Sequence, residues 1–202
     1  MNDSGALRTT AVLLAAGAGR RLGLGPKALL PFRGRTLVEV LADELLAGGC
    51  REVVTVLGAD SATVRAGTDL SRHRVIENPD WATGMGSSFR LGVATAAPED
   101  HVLFALVDQP GLTRDTVARV LAAHRPGRVT AAAYREPNGE LRRGHPLLLD
   151  VTLRSEAAGM ATGDAGARLF LQANPELIDP VDCSDLSGGE DLDRPEQLHL
   201  LD

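Results

Sequence analysis

Runs of residues that are apolar without alternation leave this chain few ways to fold. Val102–Val107 is the clearest, six apolar residues that lead straight into Asp108. Thr10–Ala15, Val53–Leu57, Val129–Tyr134 and Pro146–Leu149 are of the same kind, and Arg74–Glu77 is a shorter one. A strand with no polar face must be covered on both sides, which is the signature of a mostly parallel sheet between two layers of helices. Helical patterns separate the runs. Thr36–Ala47 carries Thr36 as N-cap, Glu39 in capping-box position and Gly48-Gly49 as its stop. Gly86–Ala97 opens on Ser87-Ser88 and ends before Pro98, Thr113–His124 is capped by Thr113, and Asp164–Ala173 ends at Asn174-Pro175. In an α/β sheet of this kind, ligands bind outside the carboxyl ends of the strands. The loop after the first strand and Asp108 both fall at such ends.

The 202 residues suit a single domain spanning 1–202, with an unstructured tail expected over residues 1–8. A net charge of −6 argues against general nucleic-acid binding and against docking on an anionic membrane. Cys50 and Cys183 stand far apart without a CxxC, so neither a disulfide framework nor a zinc site is signalled, and a reducing cytoplasm fits. No basic region with an apolar core opens the chain, and no apolar run approaches a membrane span. The acidic stretch Asp182–Asp193, with Gly188-Gly189, reads as a surface loop.

Twenty of the twenty-one Lys/Arg positions are Arg; the exception is Lys27. It closes the glycine-rich segment Gly17-Ala18-Gly19-Arg20-Arg21-Leu22-Gly23-Leu24-Gly25-Pro26-Lys27. A compact ammonium serves where a planar guanidinium fork does not. The segment is no Walker loop, and it misses the dinucleotide fingerprint because Leu22 stands where the third glycine belongs. Arg20, Arg21 and Lys27 beside glycines suit a triphosphate; the alternative is an ordinary strand-to-helix turn with solvated arginines. Asp108, in Val107-Asp108-Gln109-Pro110, places a carboxylate at the mouth of the sheet. It can start a Mg²⁺–nucleotide site, or it caps a turn before Pro110. Asp191 and Asp193 can share a face of an extended segment and supply a further carboxylate, or they belong to a solvated loop with Asp193 as N-cap. Asn78-Pro79-Asp80-Trp81-Ala82-Thr83-Gly84-Met85-Gly86-Ser87-Ser88 either surrounds a base, sugar or phosphate or simply turns into a capped helix. His145 can touch substrate or the segment merely turns the chain into a strand, and a lone histidine is more often structural; Gly163–Arg168 can likewise be just a helix start.

Taken in order, these segments resemble those of the nucleotidyltransferases related to molybdenum-cofactor enzymes, the MobA-like NTP transferases. Leu14-Ala15-Ala16-Gly17, Arg21-Leu22-Gly23 and Lys27 look like the family's opening signature. Asn78-Pro79 with Gly84-Met85 and Ser87-Ser88, Asp108-Gln109-Pro110, Gly144-His145-Pro146, Gly163-Asp164-x-Gly166-Ala167-Arg168 and Asp191-Leu192-Asp193-Arg194-Pro195-Glu196 are similar to its later motifs. The resemblance implies a Rossmann-like three-layer α/β/α sandwich and an enzyme that moves a nucleoside monophosphate from an NTP to an acceptor phosphate, releasing pyrophosphate. It implies that Gly17, Arg21 and Lys27 hold the triphosphate and that Ala15 and Ala16 lie near the base. Asp108 would bind Mg²⁺, with Asp193 or Asp191 completing the metal site. Gly19, Gly23, Asn78, Gly84, Ser87, Ser88, Gln109 and His145 fill out the expected binding surface. Ala16 leans toward CTP over GTP, the nearest subgroup acts on molybdopterin, and a molybdoenzyme apoprotein is the implied partner. Gly19 stands where Ser is common and Arg194 where Thr is usual. Competing readings are a sugar- or alcohol-phosphate acceptor, a nicotinamide-dependent oxidoreductase, and a non-catalytic chaperone that hands a cofactor to an apoenzyme. The oxidoreductase is disfavoured by the failed fingerprint and by Tyr134 lacking a lysine four residues on.

Overall fold

The structure, a computed structural model, describes residues 7–19 and 21–202. Of the expected tail, residues 1–6 lie outside the described residues; Leu7 packs against the core and Arg8 bonds Asp100, so the tail does not reach residue 8. The strands are β1 (Thr9–Ala15), β2 (Pro31–Phe32), β3 (Arg35–Thr36), β4 (Glu52–Leu57), β5 (Arg74–Glu77), β6 (His101–Leu106), β7 (Val129–Arg135), β8 (Leu141–Leu149) and β9 (Ile178–Asp182). The helices are α1 (Leu37–Ala47), α2 (Ser61–Ala66), α3 (Met85–Thr95), α4 (Arg114–Ala122), α5 (Arg154–Met160) and α6 (Arg168–Ala173). Seven strands form one sheet in the order β5-β4-β1-β6-β8-β7-β9, while β2 and β3 make a small separate ribbon. β8 runs antiparallel to both its neighbours; every other pairing in the main sheet is parallel.

Because the strands are apolar on both faces, the sheet has two cores. On one face, Leu37, Leu41 and Leu45 of α1 and Val117 and Val120 of α4 pack over Leu13, Leu103 and Leu148. On the other, Phe89 and Val93 of α3, Ala157 of α5 and Phe170 of α6 pack over Val12, Phe104 and Leu147. Each such side chain contributes roughly 1.5–3 kcal/mol of burial. The Phe89 and Phe104 rings stack with centroids 4.1 Å apart. This is the three-layer α/β/α sandwich with a mostly parallel sheet.

Several elements depart from what the sequence suggests. α3 starts at Met85, before the expected serine pair, because Gly84 (φ +109°) can turn the chain there. The α6 helix begins only at Arg168: Gly163 and Gly166 both take positive φ and break the segment 163–167 into a separate 3-10 turn. β8 is nine residues long, since its exposed arginines pair with β7 beyond the buried part. α2, α5 and β9 lie in stretches too short or too polar to carry a periodic signal. The stretch expected to be a surface loop buries Cys183 and Leu192 completely.

Arg154, at the start of α5, is buried at 7% exposure. Its guanidinium donates to the carbonyls of Val93, Ala96, Ala97 and Asp100 at 2.6–3.0 Å. These carbonyls end α3 and the turn behind it, that of Ala97 also accepting from the Asp100 amide, and a cation there opposes the helix dipole as well. Arg154→Leu is expected to lower stability by at least about 2 kcal/mol, since it strands several buried acceptors at once. A urea midpoint equal to that of the parent protein would overturn this account of Arg154.

Candidate functional site

Three segments meet at the carboxyl edge of β1 and β6. The first is the loop after β1. Gly19 holds φ +61°, and a Cβ there would sit 2.3 Å from the Gly25 carbonyl oxygen, so the loop folds back on itself only with glycine. A serine at this position, common in the family resemblance, does not fit this backbone. After Pro26 the chain makes one 3-10 turn, Lys27–Leu29, pinned by buried Ala28 and Leu30. That fixes where the Lys27 side chain starts. The second segment leaves β6: the Val107 amide donates to the Leu14 carbonyl, keeping this loop beside the first, and Asp108 follows. The third is the strap between β9 and the C-terminal 3-10 helix Pro195–Leu201, which brings in Asp193.

The Lys27 ammonium donates to Asp108 Oδ2 at 3.1 Å and to Asp193 Oδ1 at 2.6 Å. Arg21 lies 4.0 Å from the other oxygen of Asp193. Burial alone would lower the Lys27 ammonium, but the two carboxylates outweigh it and the net shift is upward. Asp193 is held below the usual carboxylate range, first by its hydrogen bond from Lys27. Asp108 moves the other way. Its burial pushes the carboxyl up, the nearby Asp191 and Asp193 add to that, and Lys27 only partly offsets them. Asp108 Oδ1 is buried with no hydrogen-bond partner among the described residues. A lone pair left open beside a second carboxylate is the donor set a hard divalent cation takes. Asp108 and Asp193 therefore fit such an ion.

These residues line a cleft of about 590 Å³. Of the residues singled out in the sequence, Ala16, Gly17, Gly19, Arg21, Lys27, Gly84, Ser88, Asp108 and Asp193 line it. Arg20 lies outside the described residues. Seven expected residues do not line the cleft. Ala15 is buried in β1. Gly23 serves the loop's turn at φ +71°. Asn78 is buried and donates to both Ser87 and Ser88 hydroxyls at 2.8 and 2.9 Å, so it shapes the loop from behind; Ser87 is spent on that network. Gln109 and Asp191 bond each other at 2.7 Å. His145 precedes a cis peptide bond to Pro146, and its carbonyl accepts from the Tyr134 hydroxyl. Burial pushes its imidazole down to about 4, so it is neutral at physiological pH. The sequence reading left Trp81 and Asp164 undecided and did not single out Met85; all three line the cleft. A lone tryptophan in a polar loop was the available signal. Gly84 lets the two loops close up, since a Cβ there would meet Gly163 and Asp164 at 2.4 and 2.8 Å.

A second cluster of metal-ligating type, His101, His124 and Asp150, lies at the amino end of β6, about 20 Å along the strand from Asp108. It is closed by hydrogen bonds: Val151 N–H donates to His101 Nδ1, His124 Nε2 faces Asp150 at 3.2 Å, and Thr152 donates twice to Asp150. It belongs to the scaffold and not to the cleft.

A parallel-sheet sandwich with a glycine loop, a lysine and paired carboxylates at one mouth defines a nucleotidyltransferase. The sequence matches the MobA-like NTP transferase domain over residues 11–178, and the chain belongs to that family. It is 54% identical, over the full length of both chains, to the nicotine blue oxidoreductase of Paenarthrobacter nicotinovorans. Its fold is similar to that of a nucleotidyl transferase from Methanothermobacter thermautotroptrophicus (TM-score 0.80, 23% identity, 96% of each chain covered). It is similar also to Rv0371C of Mycobacterium tuberculosis H37Rv in complex with manganese (TM-score 0.78, 24% identity, 96% of this chain and 98% of that one). No helix among the described residues is long and apolar enough to cross a membrane.

A carboxyl whose folded pKa lies above its unfolded value gives the fold a contribution that is full below about pH 4, the unfolded value, and is lost as pH rises through the raised folded value. Ionised Asp108 thus weighs against the metal-free fold at neutral pH. Asp108→Asn is expected to raise the melting temperature without metal, by about 2–4 °C for each kcal/mol relieved. A lower melting temperature would show that the pair with Lys27 outweighs the burial cost.

Proposed function

We propose that the protein transfers a nucleoside monophosphate, CMP from CTP, to a phosphate-bearing acceptor, molybdopterin, and releases pyrophosphate. The observation that carries this reading is the convergence of Lys27, Asp108 and Asp193, with one oxygen of Asp108 left unpartnered. Mg²⁺ held by Asp108 and Asp193 would supply charge neutralisation at the transferred phosphate. The remaining work is the chain's own. Gly17 and Gly19 let backbone amides approach a polyphosphate. Lys27 and Arg21 give cations to the departing pyrophosphate, where negative charge grows. The reaction needs positioning and charge compensation more than a dedicated base, and a neutral His145 that does not line the cleft is in keeping with that. Ala16 lines the cleft where the guanylyl branch of the resembled family usually carries glycine, which supports CTP.

The name of the 54% identical relative favours a second reading. In it the cleft holds a flat nitrogen heteroaromatic dye, which takes a hydride from a reduced nicotinamide dinucleotide and a proton from water. The same glycine loop would then cradle the dinucleotide pyrophosphate, despite the missing third glycine.

Two assays on one preparation separate these. Pyrophosphate release with CTP, Mg²⁺ and molybdopterin is expected, and Lys27→Ala and Asp108→Ala should each lower it by about a thousandfold. Oxidation of reduced nicotinamide driven by the dye, persisting in Asp108→Ala, would replace the transferase reading with the reductase.

A further inference from the structure

Asp193 stands on a segment with no regular structure of its own. Between β9 and the 3-10 helix at Pro195, the strap has neither helix nor strand to fix it. What places it is a short set of contacts with the loop after β6. The Leu192 amide donates to the Asp108 carbonyl at 2.7 Å. The Leu192 side chain is fully buried. Gln109, buried at 7% exposure, donates from Nε2 to Asp191 Oδ1 at 2.7 Å. On the far side, the Asp193 and Arg194 amides both donate to Gln197 Oε1 at 2.9 Å. Asp108 and Asp193 are thus kept at one lysine by residues that touch neither the lysine nor the cleft.

We propose that Gln109 is a positioning residue: through Asp191 it locks the strap so that Asp193 meets Lys27 and the metal, and Asp191 itself is no metal ligand. This rests on reading Asp108 and Asp193 as the metal pair. The chemistry is specific. Gln109 presents an amide donor, and the exposed Asp191 presents only acceptors. Two carboxylates in these places would repel and release the strap. Exchanging the roles, a carboxylate at 109 and an amide at 191, restores a donor–acceptor pair of nearly the same shape.

Two measurements on the full chain test this. Amide hydrogen exchange of residues 190–194 is read on the metal-free protein. Affinity is read by calorimetric titration with Mn²⁺ and CTP together. Gln109→Glu should speed exchange in the strap and weaken Mn²⁺ binding by at least about tenfold, the usual cost of losing a partner that orients a ligand. The double variant Gln109→Glu/Asp191→Asn should recover both. Asp191→Asn alone keeps an acceptor for Gln109 and should bind Mn²⁺ close to the parent affinity. Unchanged strap exchange in Gln109→Glu, failure of the double variant to recover, or a tenfold loss in Asp191→Asn alone would each overturn the assignment. If the parent protein binds no Mn²⁺, the metal reading fails, and strap exchange with its rescue still decides whether Gln109 holds the strap.

Discussion

One ammonium shared between two carboxylates organises this molecule. Lys27 reaches Asp108, 81 residues away, and Asp193, 166 residues away. No local tendency of the chain would bring these three together; the β1–β6 pairing, the turn at Pro26 and the C-terminal strap each have to be in place first. A lysine suits the position because its donors radiate from a small centre, so two acceptors can be served from different sides, which a flat guanidinium does less well. Lys27 alone is one positive charge against two carboxylates, with the exposed Arg21 at the rim 4.0 Å from Asp193. It is a site primed for a cation and for the anionic tail that such a cation would bring.

Two carboxylates at opposite ends of β6 are held in opposite ways. At the amino end of β6, Asp150 is surrounded by Thr152, His124 and a backbone amide. Although burial works against its charge, these donors bring its carboxyl down to about 2. Nearby, Arg154 saturates the carbonyls behind α3. At the carboxyl end, Asp108 keeps an unpaired oxygen and a carboxyl pushed upward. The Asp150 cluster is satisfied where it only needs to stand, and Asp108 keeps an open lone pair where chemistry is expected; Thr9, Thr55 and His73 each also bury one side-chain atom without a partner among the described residues. A fold and its machinery do not by themselves fix the reaction. Membership of a nucleotidyltransferase family and 54% identity to a protein named an oxidoreductase therefore pose a question that the cleft chemistry can settle.

Much of this was legible in the sequence, and for identifiable reasons. Uniformly apolar strands such as Val102–Val107 permit only a covered sheet; Lys27 stood out by composition and Asp108 by its position at a strand end, whereas Asp193 was reached only as one of two acidic residues, its role resting on the family resemblance. What escaped depended on tertiary neighbours. Nothing local tells that Asn78 turns inward to hold two serines, that Asp191 faces Gln109 while Asp193 faces Lys27, or that Ala15 is sealed inside β1 one residue before Ala16 opens to the cleft. A single-residue step along an extended chain reverses which side a group faces, and motif spacing alone does not record the phase. The helix expected from Asp164 starts only at Arg168, because Gly163 and Gly166 take a positive φ that only the folded chain makes plain.

Trp81 is the chain's sole indole, and it lies on the cleft wall. Its Cβ rests over Gly58, where any side chain would collide with it at 2.5 Å. The protein's entire near-ultraviolet emission of tryptophan type therefore originates at the place where a ligand would arrive. The molecule carries its own optical gauge of occupancy, with no label to add and no second fluorophore of that kind to subtract.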